Sequence, residues 1–131
     1  MVLAVAVLAS AAFGLHRWRG DGRIRVAPDQ LRLSRADIGA ALGTRATLVQ
    51  FSTAFCQPCR ATRGVLGEVA RLVPGVAHVE IDAESRLDLV RNLGITRTPT
   101  VLLLDPAGIQ LRRVTGTPRK AAVLATLSEL T

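Results

Sequence analysis

Aromatic residues are scarce in this 131-residue chain, with no Tyr, one Trp and three Phe. A stacking platform for nucleobases is therefore excluded, and the net charge of +7 does not by itself argue for a nucleic-acid partner. Arg17, Arg19, Arg23 and Arg25 crowd behind the N-terminal segment, Arg112, Arg113, Arg119 and Lys120 lie near the other end, and the rest are scattered. Lysine is almost absent, so the basic balance reads as a compositional bias toward Arg, Ala, Val, Leu and Gly. Cysteine is just as rare, and two in the whole chain rule out a disulfide-dense scaffold. His16 and His78 stand far apart in sequence, and with the two cysteines only one turn apart no four-ligand zinc set is visible; no metal is expected. What is plentiful is apolar residue, at 49%, enough for one domain with a proper core and a short extension.

That extension is the opening run "MVLAVAVLASAAFGL", which carries no charge. As a helix it spans roughly 22 Å, short of the ~30 Å hydrocarbon core, although the residues to Trp18 lengthen it and Arg side chains snorkel. It has no polar face to turn toward water, and no basic segment precedes it as in a cleaved signal peptide. The expectation is a thin single-pass membrane helix over 1–18. Four Arg in "HRWRGDGRIR" follow it, which favours a cytoplasmic position for the remainder, with an extracytoplasmic one still open.

Residues 19–44 form a polar linker with short elements: a turn at "APDQ" and then "SRADIGAALG", where Ser34 caps a short helix that Gly43 ends. From residue 45 to 131 strands and helices alternate. "TLVQFS" (47–52) reads as a buried strand, and a helix from about Cys56 to Val73 puts Val65, Leu66, Val69, Leu72 and Val73 on one side. "VAHVEID" (76–82) is the next strand, and a helix over 84–93 buries Leu87, Val90 and Leu93. "TVLLLD" (100–105) and "QLRRVT" (110–115) form a hairpin, and a last helix opens with Thr117 as cap and Pro118 as first residue. This order gives an α/β fold in which a right-handed parallel crossover precedes an antiparallel pair.

Both cysteines fall in "FSTAFCQPCR" (51–60), where the first of these strands passes into its helix, the place where open α/β sheets put their chemistry. A thiolate at a helix N-terminus is stabilised by unpaired backbone N–H groups and the helix dipole, so Cys56 is expected to be the acidic, exposed thiol. Cys59, one turn in, is expected to be more buried. Pro58 suits a first turn because its missing N–H has no partner there, and Gln57 with Pro58 sets the stiffness between the sulfurs and tunes the redox poise.

With these residues in view, the chain resembles the thioredoxin-fold proteins. "FSTAFCQPC" is similar to their strand, loop and C-x-x-C helix start, "VEIDAE" to their second strand with its acid at Asp82, and "GITRTPTVLLLD" to their cis-proline segment. Gly108 and Gly116 match the following turn and the glycine before the final helix. The resemblance implies a central mixed sheet flanked by helices, a cis peptide bond before Pro99 facing the Cys pair, and a Thr98 backbone that pairs with an extended substrate. Departures stand beside it: Phe55 where a Trp is common, Gln57 where reductant members have Gly, and Gly64 where a kinking Pro is frequent. Gln50 occupies the position of a buried acid that moves the proton of the second Cys. These departures weigh against efficient reductase behaviour.

The function implied is thiol-disulfide exchange by a membrane-tethered oxidoreductase, with Cys56 attacking and Cys59 resolving. No cofactor is required, because the Cys pair is itself the two-electron carrier; protein thiols or disulfides are the substrates, and a reductase or oxidase recycles the pair. Two alternatives stay open: an extracytoplasmic relative of the thioredoxin-like proteins of cytochrome c maturation, and a non-catalytic peptide-binding module.

Overall fold

The computed structural model describes residues 1–27 and 31–130. The described elements are helix α1 (Val2–Gly20), strand β1 (Ile24–Val26), helix α2 (Arg35–Ile38), β2 (Ala46–Ser52), α3 (Gln57–Leu72), β3 (Val76–Asp82), α4 (Leu87–Asn92), β4 (Thr100–Leu104), β5 (Gln110–Thr115) and α5 (Lys120–Leu130). The strands form one mixed sheet in the order β1-β5-β4-β2-β3. β2 and β3 run parallel through the α3 crossover, while β4 is antiparallel to β2 and β5 antiparallel to β4.

β2 lies inside the sheet, between β4 and β3, and all seven of its residues are buried. Alternation sends Val49 and Phe51 to one face, where they meet Ile38, Ile81, Leu89, Leu93 and Leu102. Ala46 and Leu48 point to the other, against Leu66, Val69, Val101, Val123 and Leu127 of α3, β4 and α5. The result is three layers, with two apolar cores separated by the sheet. Gln50 shares the second face, beneath the start of α3.

Several boundaries differ from expectation, each for a local reason. The short helix after Ser34 stops at Gly39 rather than Gly43, because Gly39 takes the left-handed conformation (φ 71°) and its N–H closes on the Arg35 carbonyl. Gly43 is required for close approach instead, since a Cβ there would strike the Ala46 and Gly75 carbonyl oxygens. The helix over 84–93 divides into a 3₁₀ turn at Ala83–Ser85, capped by Asp82, and α4; Leu89 and Leu93 are buried, but Leu87 is exposed. In α3, Leu72 is likewise exposed, and Thr62 takes a buried place instead. α5 begins at Lys120, so Thr117 and Pro118 precede it rather than cap it. The short edge strand β1 was not anticipated, and the turn expected at 27–30 lies mostly outside the described residues.

The opening segment is helical, with no buried residue; Leu3, Val5, Leu8, Phe13 and Trp18 all face outward. Yet none of the described helices is long and apolar enough to cross a membrane. The transmembrane helix expected over 1–18 is therefore not supported: Arg17 and Arg19 enter its last turn, and the uncharged part is too short.

Candidate redox site

The site sits where β2 ends. Cys56 is the N-cap of α3, with Pro58 in the first turn. Its Sγ accepts the backbone N–H of Cys59 at 3.2 Å, one of the helix-start donors that would otherwise lack a partner. Cys56 and Cys59 are joined as a disulfide, with Cα atoms 5.2 Å apart. The two sulfurs differ in access: Cys56 is partly exposed, whereas Cys59 is only 1% exposed. The first presents surface to solvent and the second almost none.

Phe55 carries a feature that the sequence did not announce. It has φ 59°, the one described non-glycine residue in the left-handed region, and its ring is fully exposed beside Cys56. That conformation costs a residue with a Cβ about 1–2 kcal/mol. Phe55, Cys56, Gln57, Arg60 and Arg63 line an open groove of about 410 Å³.

The Thr98–Pro99 bond is cis. Thr98 Oγ1 lies 3.1 Å from Thr53 Oγ1, tying the proline segment to the loop that leads into Cys56. Behind it, Gly116 donates its N–H to the Pro99 carbonyl at 2.8 Å, with φ 92°, a left-handed conformation that favours glycine. Thr117, displaced from its expected capping role, reaches across to the dipeptide between the cysteines. Its hydroxyl is 3.2 Å from the Pro58 carbonyl and 3.0 Å from Thr62 Oγ1, which itself lies 2.8 Å from that carbonyl. Two hydroxyl protons thus serve the Pro58 carbonyl directly and in relay.

Gln50 is wholly buried, and every polar atom of its side chain is used. Nε2 donates to the Cys59 carbonyl at 2.8 Å and to Ser52 Oγ at 2.9 Å. Oε1 faces His78 Nε2 at 3.0 Å. Since the amide oxygen only accepts, His78 is held as the tautomer with its proton on Nε2. Ser52 passes its own proton to Glu80 Oε2 at 3.0 Å, and Glu80 is gripped by Arg63 Nε at 2.9 Å. Burial holds the His78 pKa below the usual imidazole value, with the Glu80 carboxylate pulling upward and the Arg63 guanidinium downward. Arg63 is in turn raised, mainly through its hydrogen bond to Glu80. Glu80 and Asp82, neighbours on β3, diverge in use: Asp82 caps the following 3₁₀ turn through Glu84 N–H and Ser85 Oγ.

All seven residues singled out from the sequence, Gln50, Cys56, Gln57, Pro58, Cys59, Thr98 and Pro99, therefore gather around one end of β2. Sequence reasoning missed Phe55 as strained, His78 as a partner of Gln50 and Thr117 as a partner of Pro58.

A family model described as thioredoxin matches residues 36–129. Thioredoxin of Mycolicibacterium smegmatis is 29% identical over 89 residues, 66% of this chain and 79% of that protein. Thioredoxin of Mycobacterium bovis is 30% identical over 84 residues, 63% of this chain and 72% of its own length. Among solved structures, a mutant thioredoxin from Halobacterium salinarum superposes with a TM-score of 0.61 at 24% identity, over 67% of this chain and 76% of that one. Chloroplastic thioredoxin z gives 0.60, also at 24% identity, over 66% and 79%.

Proposed function

Since this chain belongs to the thioredoxin family and is a protein-disulfide oxidoreductase, we propose that Cys56 opens a substrate disulfide and Cys59 releases it. The observation that carries this division of labour is the contrast in access between the two sulfurs, with the more open one at the helix start. In the reducing direction the Cys56 thiolate attacks one sulfur of a protein disulfide and a substrate thiolate leaves. Cys59, losing its proton, then attacks Cys56 Sγ and expels the second substrate thiolate. Two electrons have passed to the substrate, and a reductase returns the Cys56–Cys59 disulfide to the dithiol. In this reading Thr98 and cis-Pro99 flank the substrate's extended backbone, Gln57 and Pro58 fix the spacing of the sulfurs, and Phe55 covers an apolar side chain next to the attacked sulfur.

A Cys59→Ser variant should accumulate covalent adducts with protein substrates that dithiothreitol dissolves, and a Cys56→Ser variant almost none. Equal trapping by both variants would defeat the assignment. The trapped proteins would also identify the substrates.

We further propose that α1 attaches the domain to a membrane, with the domain on the cytoplasmic side. The support is the uncharged apolar stretch Val2–Leu15 of α1, exposed throughout, with Arg17 and Arg19 in the helix's last turn. A helix that enters the bilayer without crossing it leaves the domain on the side of entry. The full chain should float with lipid vesicles, and alkaline phosphatase fused at the C-terminus should stay inactive. A phosphatase-active fusion would reverse the side and favour the cytochrome c maturation type of reading.

A further inference from the structure

Disulfide release needs a thiolate at Cys59, yet the Cys59 side chain is almost wholly buried, and the polar group placed beneath it, Gln50, does not titrate. The hydrogen bonds around Gln50 lead to one that does. From the Cys59 carbonyl the path runs through Gln50 Nε2 and Oε1 to His78 Nε2, in two bonds of 2.8 and 3.0 Å. The amide has one orientation open to it. Its NH₂ must face the Cys59 carbonyl, which only accepts, so its oxygen must face the imidazole. His78 projects from β3, the strand paired with β2 through Leu48↔His78 and Gln50↔Glu80, at an edge of the sheet.

Building on the resolving role proposed for Cys59, we propose that His78, held by Gln50, is the positioning residue whose proton uptake accompanies ionisation of the Cys59 thiol and so paces disulfide release. Atoms and charge balance as follows. The Cys59 thiol loses its proton, the thiolate forms a bond to Cys56 Sγ, and the bond from Cys56 Sγ to the substrate sulfur breaks with its electron pair leaving on the substrate. A proton is taken up through solvent at His78 Nδ1, the nitrogen not engaged by Gln50, so the Nε2–H bond to Oε1 survives in both charge states. An imidazolium at His78 opposes the new negative charge at Cys59, and the thiolate in turn raises the proton affinity of His78; the coupling is reciprocal.

The other charges facing His78 are Glu80 on its own strand and Arg63 from α3, and these two are bound to each other at 2.9 Å. Neither bonds to Gln50 directly. Glu80 reaches it only through Ser52, so their joint field acts as a fixed background while His78 titrates. Burial already favours the neutral imidazole in the disulfide form, which leaves it ready to accept a proton when the thiolate appears.

The test uses the full chain and two readouts. The first is the His78 ring, followed by NMR across pH in the oxidised protein and in a reduced Cys56→Ser variant, where Cys59 is the sole thiol. The expected result is a higher His78 pKa in the reduced variant, with an inflection at the same pH in Cys59 alkylation by iodoacetamide. The second readout is His78→Gln, which keeps an N–H donor toward Gln50 but removes the titration. Loss of one unit of thiol acidity leaves about tenfold less thiolate near neutral pH, so Cys59 alkylation and substrate release should slow about tenfold. Cys56 labelling and the unfolding midpoint should stay near the parent's. Identical His78 titration in the two redox states, or a Cys59 profile unmoved by His78→Gln, would overturn the proposal. So would equal slowing at Cys56, which would mark a general effect on the site. Failure of the Cys59→Ser trap would instead strike at the resolving role itself, a separate outcome.

Discussion

Replacing Gln50 by Asp restores the carboxyl that the resemblance leads one to expect, and the structure fixes what that costs. Gln50 has no exposed surface, donates to Cys59 and Ser52, and accepts from His78. An ionised Asp has no proton to donate, so the Cys59 carbonyl loses its partner, at about 1–3 kcal/mol for an unsatisfied buried group. A protonated Asp keeps a donor and avoids a buried charge. Both effects raise the folded-state pKa above its unfolded value near 4, by about three units if burial acts at full strength. The sign follows: an acid with a raised folded pKa does little harm below pH 4, and it destabilises progressively as the pH climbs to that folded pKa. At about 1.4 kcal/mol per unit, three units amount to about 4 kcal/mol between pH 4 and pH 8. Urea unfolding of Gln50→Asp and the parent at several pH values should therefore show midpoints that nearly meet near pH 4 and diverge above it. A gap independent of pH would refute the reasoning, since it would mean the carboxyl ionises without cost and only packing was lost. Reduction of a model disulfide near neutral pH should meanwhile accelerate, because a carboxylate beneath Cys59 accepts the proton that Gln50 cannot. An unchanged rate with an intact fold would show that position 50 serves structure alone.

Phe55→Gly should stabilise the folded chain by about 1 kcal/mol through release of the left-handed strain, read as a higher urea midpoint. The same change should slow reduction of a protein disulfide more than of a small-molecule disulfide, which lacks an apolar chain for the ring to cover. Ser34→Ala should lower stability by about 1 kcal/mol through loss of one half of the capping box. Its partner Asp37 has its pKa held down, first by the Ser34 N–H and next by the Ser34 hydroxyl, so this stabilisation is present above the usual carboxylate range and vanishes as the pH falls through the folded pKa. Thermal melts of parent and variant should therefore draw closer as the pH falls below about 4, without meeting, because the bond from the Asp37 N–H to Ser34 Oγ does not titrate.

The parts legible in the sequence are those carried by local pattern. The apolar run before Cys56, the alternation through β3 and the Pro-Ala-Gly turn before β5 each act over a few residues, and they suffice to set the parallel crossover and the antiparallel pair. "TPT" marked the cis-proline through its resemblance, since nothing in the spacing alone separates cis from trans. What was not legible depends on contacts across the chain. β1 carries Arg25 and lacks the apolar density of a strand; it is a strand because β5 offers an edge, with Ile24 opposite Val114. Leu72 and Leu87 fit helical periods but fall where no neighbouring element covers them. Ser34 to Gly43 holds two possible stops, and the first one to reach the left-handed conformation ended the helix. The Gln50–His78 bond joins residues 28 apart and exists only through the β2–β3 register. A polar residue in an apolar strand was the sole hint, and it pointed to a partner without naming one.

The complete burial of β2 also has a consequence for how such a chain tolerates changes of length. Because its odd residues belong to one core and its even residues to the other, one inserted or deleted residue within Ala46–Ser52 exchanges the two sets. Gln50 would then turn toward Ile81 and Leu102, and Phe51 toward the floor beneath Cys59. Both cores and the redox site would fail in a single step, although no residue had changed its identity. A change of length in this stretch is therefore expected to cost far more than a substitution in it.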